Sequence, residues 1–198
     1  MEATFLQRHP YLKDAFNIII FVICVLIGTL VINNYVFRSF NVLGPSMETT
    51  FYTGDRLIVN RLPVTWAMLQ NKEYIPERGQ IIVFKNPQFN ASNGDEYIVK
   101  RVIAFPGERV TVDNGVLKVY NDEHPEGFQP DTEWDGPGSP TSGDVDTKVS
   151  DGTLFVAGDH RQGNFSYDSR SGLGLIPFYD VVGPVGIRIY PFDKIRTY

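Results

Sequence analysis

The sequence predicts a mainly β protein, an antiparallel barrel or sandwich-like domain that follows a single N-terminal transmembrane helix. Two observations lead to this prediction. One uncharged apolar run lies near the N-terminus, and many short β-branched or aromatic runs bounded by Gly, Pro and Asn follow it. These runs do not alternate with long helical segments, as they would around a parallel sheet. The 198 residues are enough for the helix and one globular domain.

The apolar run extends over residues 15–37, with no charge between Asp14 and Arg38. At about 1.5 Å per residue a helix of this length crosses a hydrocarbon core of about 30 Å with some tilt. A cleaved signal peptide has a shorter apolar core and ends in a small-residue cleavage motif. Neither feature is present, so we expect an uncleaved membrane anchor.

The orientation of the anchor is predicted from the charges beside it. Arg8, Lys13 and the free amino group precede the run, and Arg38 follows it. Because positive charge is retained on the cytoplasmic side, the N-terminal group favours a cytoplasmic N-terminus over residues 1–14. Residues 38–198 are then expected on the extracytoplasmic side of the plasma or inner membrane, in a single-pass protein.

The predicted strands lie beyond the anchor and are short. The Asn114-Gly115 pair predicts a two-residue hairpin turn, since both central positions of that turn favour positive φ. The segment 64–75 is expected to form a short helix. The strands are expected at 55–62, 80–86, 96–105, 109–112, 116–119, 152–158 and 181–192.

One segment does not follow the strand pattern. Residues 121–151 are rich in Pro, Gly, Ser and acidic residues and are predicted to be an exposed insertion. Loops of this length are either solvated linkers or functional segments that gate a site or bind a partner. Both interpretations remain open at this stage.

Composition excludes several functional classes. The net charge is −5, and no basic block or aromatic-basic pattern indicates a nucleic-acid partner. The single cysteine, Cys24, lies inside the apolar run, which excludes a disulfide framework and a Cys-based metal site. His9, His124 and His160 are far apart in sequence. We therefore expect neither a metal nor another cofactor.

Ser46 is a candidate nucleophile because it lies a few residues beyond the predicted membrane exit, in the stretch NVLGPSMETTF. A nucleophilic serine needs a neighbouring base to accept its proton. Among the histidines, His160 is the one placed to serve as that base. Lys100 is the other candidate. Pro45, with its fixed φ, is expected to set the angle at which Ser46 is presented.

Lys100 lies in a strand with mostly apolar residues on both faces. Strand alternation places it on one face with Ile98 and Val102, while Arg101 lies on the other. A lysine in such surroundings loses hydration, which disfavours the ammonium and lowers its pKa. A neutral lysine amine is a competent general base. The alternative is a lysine that reaches solvent at a sheet edge.

Two short apolar stretches have an open assignment. The aromatic pair at residues 51–52 and the stretch at 65–69 could lie in the membrane interface, where Trp and Tyr are enriched, or in the protein core.

Several blocks together resemble the type I signal peptidases, a family of membrane-bound Ser/Lys endopeptidases that remove signal peptides. The resemblance covers the anchor and nearly all of residues 40–192 except the insertion at 121–151. It implies a catalytic domain over 38–198. The matching blocks are GPSMETTF, RGQIIVFKNP, YIVKRVIAFPGERV, GDHR with SYDSRSGLGLIP, and VVGPVGIRIYPF.

The resemblance implies a role for individual residues. The family's nucleophile falls on Ser46 and its general-base lysine on Lys100. The serine that hydrogen-bonds this lysine falls on Ser166, and the supporting ion pair falls on Asp168 and Arg170.

A second group of residues is also implied by the resemblance. The Gly-Asp-x-Arg block falls on Gly158, Asp159 and Arg161. Some family members have a serine two positions before the nucleophile that donates to the oxyanion, and Gly44 occupies that position here. Its side chain cannot donate, so the Ser46 N–H is the expected oxyanion donor.

The resemblance also implies the partners, which are membrane lipid and exported precursors that carry signal peptides and are cleaved after small residues of the Ala-x-Ala type. Two function classes remain open, this anchored endopeptidase and a membrane-tethered β domain that binds extracytoplasmic peptides or proteins without cleaving them. A self-cleaving repressor-type protease shares the Ser/Lys pair, but it would need a scissile site and a DNA-binding module where this chain has its anchor. The sequence does not indicate an oligomeric state.

Overall fold

Two antiparallel sheets follow the N-terminal helix in the computed structural model, which describes residues 10–90, 94–132 and 140–198. The predicted mainly β, antiparallel fold behind one apolar helix is confirmed. The first nine residues of the predicted cytoplasmic segment and residues 133–139 of the insertion lie outside the described residues.

The N-terminal helix α1 spans Pro10–Val31 and continues as a π-helical turn, Ile32–Val36. Within the described residues, Tyr11–Val36 is the one helical stretch long and apolar enough to cross a membrane. Its most apolar part is not buried against the rest of the protein. The helix ends where Phe37 adopts an extended backbone. The first strand therefore begins at the last residue of the predicted apolar run.

A short helix, α2, spans Leu62–Leu69. Pro63 lies in its first turn, where the missing N–H costs no hydrogen bond. The prediction placed this helix at 64–75, but Asn71 has a positive φ of 53°, a backbone conformation that terminates helices.

The strands match most of the predicted runs. The Asn114-Gly115 pair forms the expected hairpin turn, and both residues have positive φ. The strands are β1 (Phe37–Asn41), β2 (Arg56–Asn60), β3 (Ile81–Lys85), β4 (Tyr97–Ala104), β5 (Arg109–Asp113), β6 (Val116–Tyr120), β7 (Val145–Lys148), β8 (Thr153–Ala157), β9 (Ile176–Pro177), β10 (Val181–Tyr190) and β11 (Arg196–Thr197).

The larger sheet has the strand order β1-β2-β10-β3-β4-β8-β9, with β11 paired to β10, and the smaller sheet has the order β6-β5-β7. The long strand β10 pairs with β2 along one part and with β3 along the other. It therefore links β1 and β2 to β3, which in turn pairs with β4. The larger sheet curls, and β1 and β4 border the same pocket.

The insertion at 121–151 is not entirely an exposed loop. Its residues Val145–Lys148 form β7, which pairs with β5 in the register Val110↔Thr147. Pro130–Thr132 forms a 3₁₀ turn, and Val119 bridges to Phe128. The prediction of an exposed insertion rested on the content of Pro, Gly, Ser and acidic residues over 121–151, and this composition gives no sign of β7.

The two apolar stretches of open assignment have different environments. Phe51 is fully buried in the core cluster that also contains Met47. In contrast, Trp66 and Leu69 of α2 are exposed. Phe51 is thus a core residue, whereas the apolar face of α2 is not covered by the protein.

Candidate active site

Ser46 lies on a loop between β1 and β2 that is anchored on both sides. Val42 and Met47 are buried in the same core cluster. The Pro45 carbonyl accepts a hydrogen bond from Glu48 N at 3.0 Å, and the Met47 carbonyl accepts one from Phe51 N at 2.8 Å. These contacts hold the short segment so that the Ser46 side chain lines the pocket.

Lys100 lies on β4 and is 3% exposed. Its Nζ is 2.8 Å from Ser46 Oγ, and it also donates to the Val99 carbonyl at 3.0 Å. Burial lowers the pKa of the Lys100 ammonium to about 8, although the charges of Asp168 and Asp159 oppose that shift. A fraction of the Lys100 side chain is therefore the neutral amine near physiological pH. The neutral amine can accept the proton of the Ser46 hydroxyl.

Gly158 follows β8 at the point where β8 stops pairing with β4, next to the pair Arg101↔Ala157. A Cβ atom at Gly158 would collide with the Ser46 carbonyl oxygen and with the Oγ of Ser166. This position therefore requires glycine, because the loop 42–55 that carries the candidate nucleophile Ser46 (the nucleophile loop) and the loop that carries Ser166 both approach the same backbone.

Asp159 joins the nucleophile loop to β4. It accepts two hydrogen bonds from Arg101, at 2.8 and 2.5 Å, and a third from the Thr50 hydroxyl at 2.5 Å. Asp159 and Arg101 are both buried. Because a charge-assisted bidentate pair has a defined geometry, it fixes the distance between the loop that carries Ser46 and the strand that carries Lys100.

Ser166, Asp168 and Arg170 of the SYDSR block are hydrogen-bonded to one another. The Ser166 hydroxyl donates to Asp168 Oδ2 at 2.6 Å, and Arg170 donates to both carboxylate oxygens of Asp168 at 3.1 and 2.8 Å. Burial raises the pKa of the Asp168 carboxyl, but the hydrogen bonds and charge of Arg170, with the Gly158 N–H and the Ser166 hydroxyl, outweigh it and hold the pKa below its ordinary value.

The expected hydrogen bond between Ser166 and the lysine is replaced by another contact. Across the described residues, Lys100 Nζ bonds to Ser46 Oγ and to the Val99 carbonyl, while the single hydroxyl proton of Ser166 points to Asp168. Ser166 thus lies in the site, and its action on the amine stays a prediction.

Arg161 completes the loop after β8 and is fully buried. Its Nε donates to the Gly158 carbonyl at 2.7 Å, and its two terminal nitrogens donate to Asp131 at 2.5 and 2.6 Å. Asp131 belongs to the insertion at 121–151. Sequence reasoning missed this residue, which lies outside every matching block, and also Thr50, which lies in the block GPSMETTF but whose partner Asp159 is far away in the sequence.

Replacing Asp131 by Ala is expected to destabilise the fold by about 3 kcal/mol, because it leaves a buried guanidinium without its carboxylate. The loop that carries Asp159 then loses support, so kcat/KM on a peptide substrate should also fall. Thermal unfolding and peptide cleavage measure the two effects. Asp144→Ala, at an exposed position of the same insertion, is the matched control. An unchanged melting temperature for Asp131→Ala would contradict the role of this ion pair.

His160 contacts the loop that carries Ser46 but not Ser46 Oγ. Its backbone N–H donates to the Ser46 carbonyl at 3.1 Å, its Nδ1 lies 3.2 Å from the Pro45 carbonyl oxygen, and its ring stacks on Phe165. Across the described residues no hydrogen bond joins the imidazole to Ser46 Oγ. The geometry therefore favours Lys100 over His160 as the base.

The pocket in front of Ser46 and Lys100 has a volume of about 330 Å³. Val42, Leu57 and Val83 line it and are nearly fully buried, so it is apolar at depth. The aromatic rings of Phe165 and Tyr167 also border it. A pocket of this size accepts small apolar side chains beside the reactive groups.

The candidate nucleophile Ser46 also carries a backbone N–H that is available as a hydrogen-bond donor. Across the described residues, the Ser46 N–H makes no hydrogen bond to a protein acceptor. Gly44 also lines the pocket and has a positive φ of 81°, which glycine tolerates. Pro45 between them has no N–H.

The chain is similar to known proteins over most of its length. A family model described as "Signal peptidase, peptidase S26" matches residues 13–190. The matched range contains Ser46, Lys100 and the SYDSR block.

Curated relatives match almost end to end. A signal peptidase I of Bacillus licheniformis is 31% identical over 180 residues, which is 88% of this chain and 88% of that protein. Signal peptidase I T of Bacillus subtilis (strain 168) is 33% identical over 180 residues, covering 88% and 84% of the two chains. Among solved structures, a signal peptidase I from Enterococcus faecalis V583 shows 26% identity and a TM-score of 0.41, covering 56% of this chain and 96% of that chain.

Proposed function

Because the chain belongs to the signal peptidase family, peptidase S26, we propose that it removes signal peptides from exported precursors with Ser46 as nucleophile and Lys100 as general base. The observation that carries this assignment is the 2.8 Å contact between Lys100 Nζ and Ser46 Oγ in a buried site. Members of this family are hydrolases, so the alternative of a tethered domain without catalytic activity is set aside.

Acylation begins when Ser46 Oγ attacks the carbonyl carbon of the scissile bond while its proton passes to the neutral amine of Lys100. The Ser46 N–H donates to the oxyanion that develops on the carbonyl oxygen. When the C–N bond breaks, the Lys100 ammonium returns the proton to the leaving amine. The side chain of Lys100 is then a neutral amine again, and it deprotonates the water molecule that hydrolyses the acyl-enzyme.

Substrate selection follows from the strand edges beside the pocket. Two strand edges border this pocket. One is the side of β4 that faces away from β3, up to the point at Arg101 where pairing with β8 begins, and the other is the outer side of β1. Across the described residues, neither edge pairs with a further strand. An extended peptide can therefore bind by adding backbone hydrogen bonds to a free edge. Alternate side chains of that peptide then point into the apolar pocket, which supports cleavage after small residues of the Ala-x-Ala type.

The anchor supports the proposed location. The helical stretch Tyr11–Val36 is followed directly by β1, so Ser46 lies only ten residues beyond the helix. A precursor held in the same membrane by its own apolar segment reaches this site at a raised effective concentration. The charges flanking the helix support a single-pass protein with a cytoplasmic N-terminus and an extracytoplasmic catalytic domain.

The pH dependence of cleavage tests the assignment of the base. We expect kcat/KM of the purified chain on an Ala-x-Ala peptide to rise with pH and to level off above an apparent pKa of about 8, since protonation of Lys100 removes the base. Below that pKa the rate should fall about tenfold per pH unit.

Two variants complete this test. Ser46→Ala should be inactive at every pH, whereas His160→Ala should keep the shape of the wild-type profile even if its rate is lower. The assignment fails if Ser46→Ala processes the peptide normally, or if the wild-type profile has a midpoint near 6.5, typical of histidine, that vanishes in His160→Ala.

A further inference from the structure

A second cavity adjoins the nucleophile loop. Neighbouring side chains of a strand point to opposite faces, so Arg101 lies on the face of β4 opposite to Lys100. Arg101 borders a cavity of about 450 Å³ that Thr49 and Thr50 of the nucleophile loop also line. This cavity, called the basic pocket below, shares no lining residue with the pocket in front of Ser46. Its other lining residues are Tyr52, Arg188, Lys194, Arg196 and Tyr198.

The basic pocket carries more positive charge than the fold neutralises. Its described lining contains four cationic side chains and no Asp or Glu. Two of the four, Arg101 and Arg188, each have a buried carboxylate partner. In the part of the chain that the structure describes, Lys194 and Arg196 form no ion pair. Four cations against two carboxylates leave a local charge of +2, although the whole chain has a net charge of −5.

Arg188 has a donor group that the protein does not use. Its side chain is buried, with 8% of its surface exposed. Its Nε donates to the Lys194 carbonyl at 2.8 Å, and its Nη1 donates to the Thr50 carbonyl and to Asp55 Oδ2, each at 3.0 Å. Among the described residues, Nη2 has no acceptor. Because buried N–H groups are normally hydrogen-bonded, this nitrogen indicates that an acceptor from outside the chain binds in the pocket.

The rim of the basic pocket adds further donors. Lys194 Nζ lies 5.6 Å from the centre of the Tyr52 ring, and the guanidinium carbon of Arg196 lies 5.6 Å from the centre of the Tyr198 ring. These aromatic contacts position both cations without using their N–H groups in hydrogen bonds. Burial raises the pKa of the Tyr198 phenol, although the neighbouring arginines oppose this shift, so its hydroxyl stays protonated and can donate.

We propose that the basic pocket binds a dianionic oxyanion of the phosphate class, which is inorganic phosphate or a phosphate monoester. Its two negative charges match the surplus charge of the pocket. Its oxygens provide acceptors for Arg188 Nη2, Lys194 and Arg196 together. Charge-assisted hydrogen bonds between guanidinium groups and phosphate oxygens are strong and have a defined geometry. A single carboxylate has one charge and two oxygens, and it would leave part of the pocket unpaired.

A bound anion connects the nucleophile loop to the C-terminal part of the fold. Thr50 lines the basic pocket from the loop, Arg188 lines it from β10, and Arg196 lines it from β11. The Thr50 hydroxyl also donates to Asp159, which pairs with Arg101. A ligand that contacts all these elements makes local opening of the loop less favourable. It does so outside the pocket in front of Ser46.

Thermal unfolding of the full chain in detergent, at alkaline pH where phosphate is mainly a dianion, tests this site. With about 20 mM phosphate we expect Tm to rise by at least about 3 °C relative to chloride of equal ionic strength. The double variant Lys194→Gln, Arg196→Gln should lose this rise. Both positions are exposed, so the variant should keep its fold. The matched control Lys72→Gln, Lys148→Gln removes two exposed charges outside the pocket and should keep the rise.

The comparison between the variants decides the result, because phosphate also stabilises proteins in general by exclusion from their surfaces. An equal rise in the wild type, the double variant and the control would show only this general effect and would contradict the site. The absence of a rise in the wild type would contradict it as well. The measurement needs no catalysis and can be repeated in Ser46→Ala, so its failure is distinct from failure of the proposed function.

A phosphate monoester can be dissolved or can belong to a lipid headgroup, and nanodiscs distinguish these two sources. In discs of phosphatidylcholine alone, added phosphate should raise Tm as it does in detergent. Phosphatidic acid is then included in the discs. If it raises Tm and removes the response to added phosphate, the ligand is a lipid headgroup. If the response to phosphate is unchanged, the ligand is a soluble anion.

Hydrogen exchange tests the effect of the anion on the nucleophile loop. The backbone N–H groups of Thr50 and Phe51 both donate to the Met47 carbonyl at 2.8 Å. Phosphate should slow the exchange of these two amides by about threefold or more in the wild type, and not in the double variant. Exchange rates that phosphate leaves unchanged in the wild type would contradict the connection between the basic pocket and this loop.

Discussion

Replacing Lys100 by Met is expected to abolish peptide cleavage and, at neutral pH, to make the folded chain more stable. Cleavage is lost because Ser46 Oγ has no other base at hydrogen-bond distance in the described part of the chain. General bases contribute rate factors of about 10²–10⁴, so we expect a loss of at least that size. Peptide cleavage by the purified full chain at its optimum pH measures this effect.

The gain in stability follows from the lowered pKa of Lys100. Between pH 8 and pH 10.5 the unfolded chain retains this proton and the folded chain releases it, so stability rises with pH through that window. Below pH 8 both states are protonated, and burial of the ammonium costs about 3 kcal/mol in full. A methionine has no such cost. Thermal unfolding should therefore show Lys100→Met above the wild type at pH 7, with the difference decreasing towards pH 10.5.

Two control variants distinguish the effect of the positive charge of Lys100 from its ability to accept a proton. Lys100→Arg keeps a permanent positive charge that cannot accept a proton, so it should be inactive as well. Lys148→Met, at an exposed position of β7, should change neither activity nor the pH dependence of unfolding. Retained cleavage by Lys100→Met would show that another group accepts the serine proton.

Replacing Gly158 by Ala is expected to reduce activity about 100-fold or more and to destabilise the chain by about 1–3 kcal/mol. The new Cβ collides with the Ser46 backbone carbonyl, which cannot rotate away as a side chain can. Relief of this collision moves the nucleophile loop or the Ser166 loop. A displacement of about 1 Å is enough to lose 10²-fold in rate. Cleavage kinetics and thermal unfolding measure the two effects.

Gly186→Ala is the matched control for this substitution. Gly186 lies in β10, and a Cβ atom there makes an ordinary contact of 3.6 Å with the Ile58 carbonyl. Its activity and melting temperature should stay near those of the wild type. If Gly158→Ala behaves in the same way, the tight approach of the two loops at this position is not required for catalysis.

The properties of Lys100 result from two opposing influences of the fold. Burial in the sheet disfavours its charge, while Asp168 and Asp159 favour it. Both carboxylates have a bidentate arginine partner, Arg170 and Arg101 respectively. These partners offset much of the negative charge beside the amine. The pKa therefore remains low enough for Lys100 to act as a base near pH 8.

Much of the fold could be predicted from local patterns in the chain. The absence of charge over residues 15–37 predicts the N-terminal helix, and the Asn114-Gly115 pair predicts a hairpin turn that the structure contains. The alternation around Lys100 predicts a strand with two apolar faces, and β4 buries this lysine. These features depend only on residues a few positions apart. The alternation of side chains along a strand, or the residue pair of a turn, is therefore enough to predict them.

The sequence alone therefore determined the elements and the candidate residues, and tertiary structure decided which of them meet. Ser46 and Lys100 are 54 positions apart, and their contact depends on the curl of the larger sheet and the packing of Met47 and Val42. The pairing of Asp131 with Arg161 likewise has no local signal, and only the structure shows that the apolar stretch at 65–69 is exposed rather than in the core. The physical reason is that long-range partners are selected by strand register and by packing volume, which are properties of the whole folded chain.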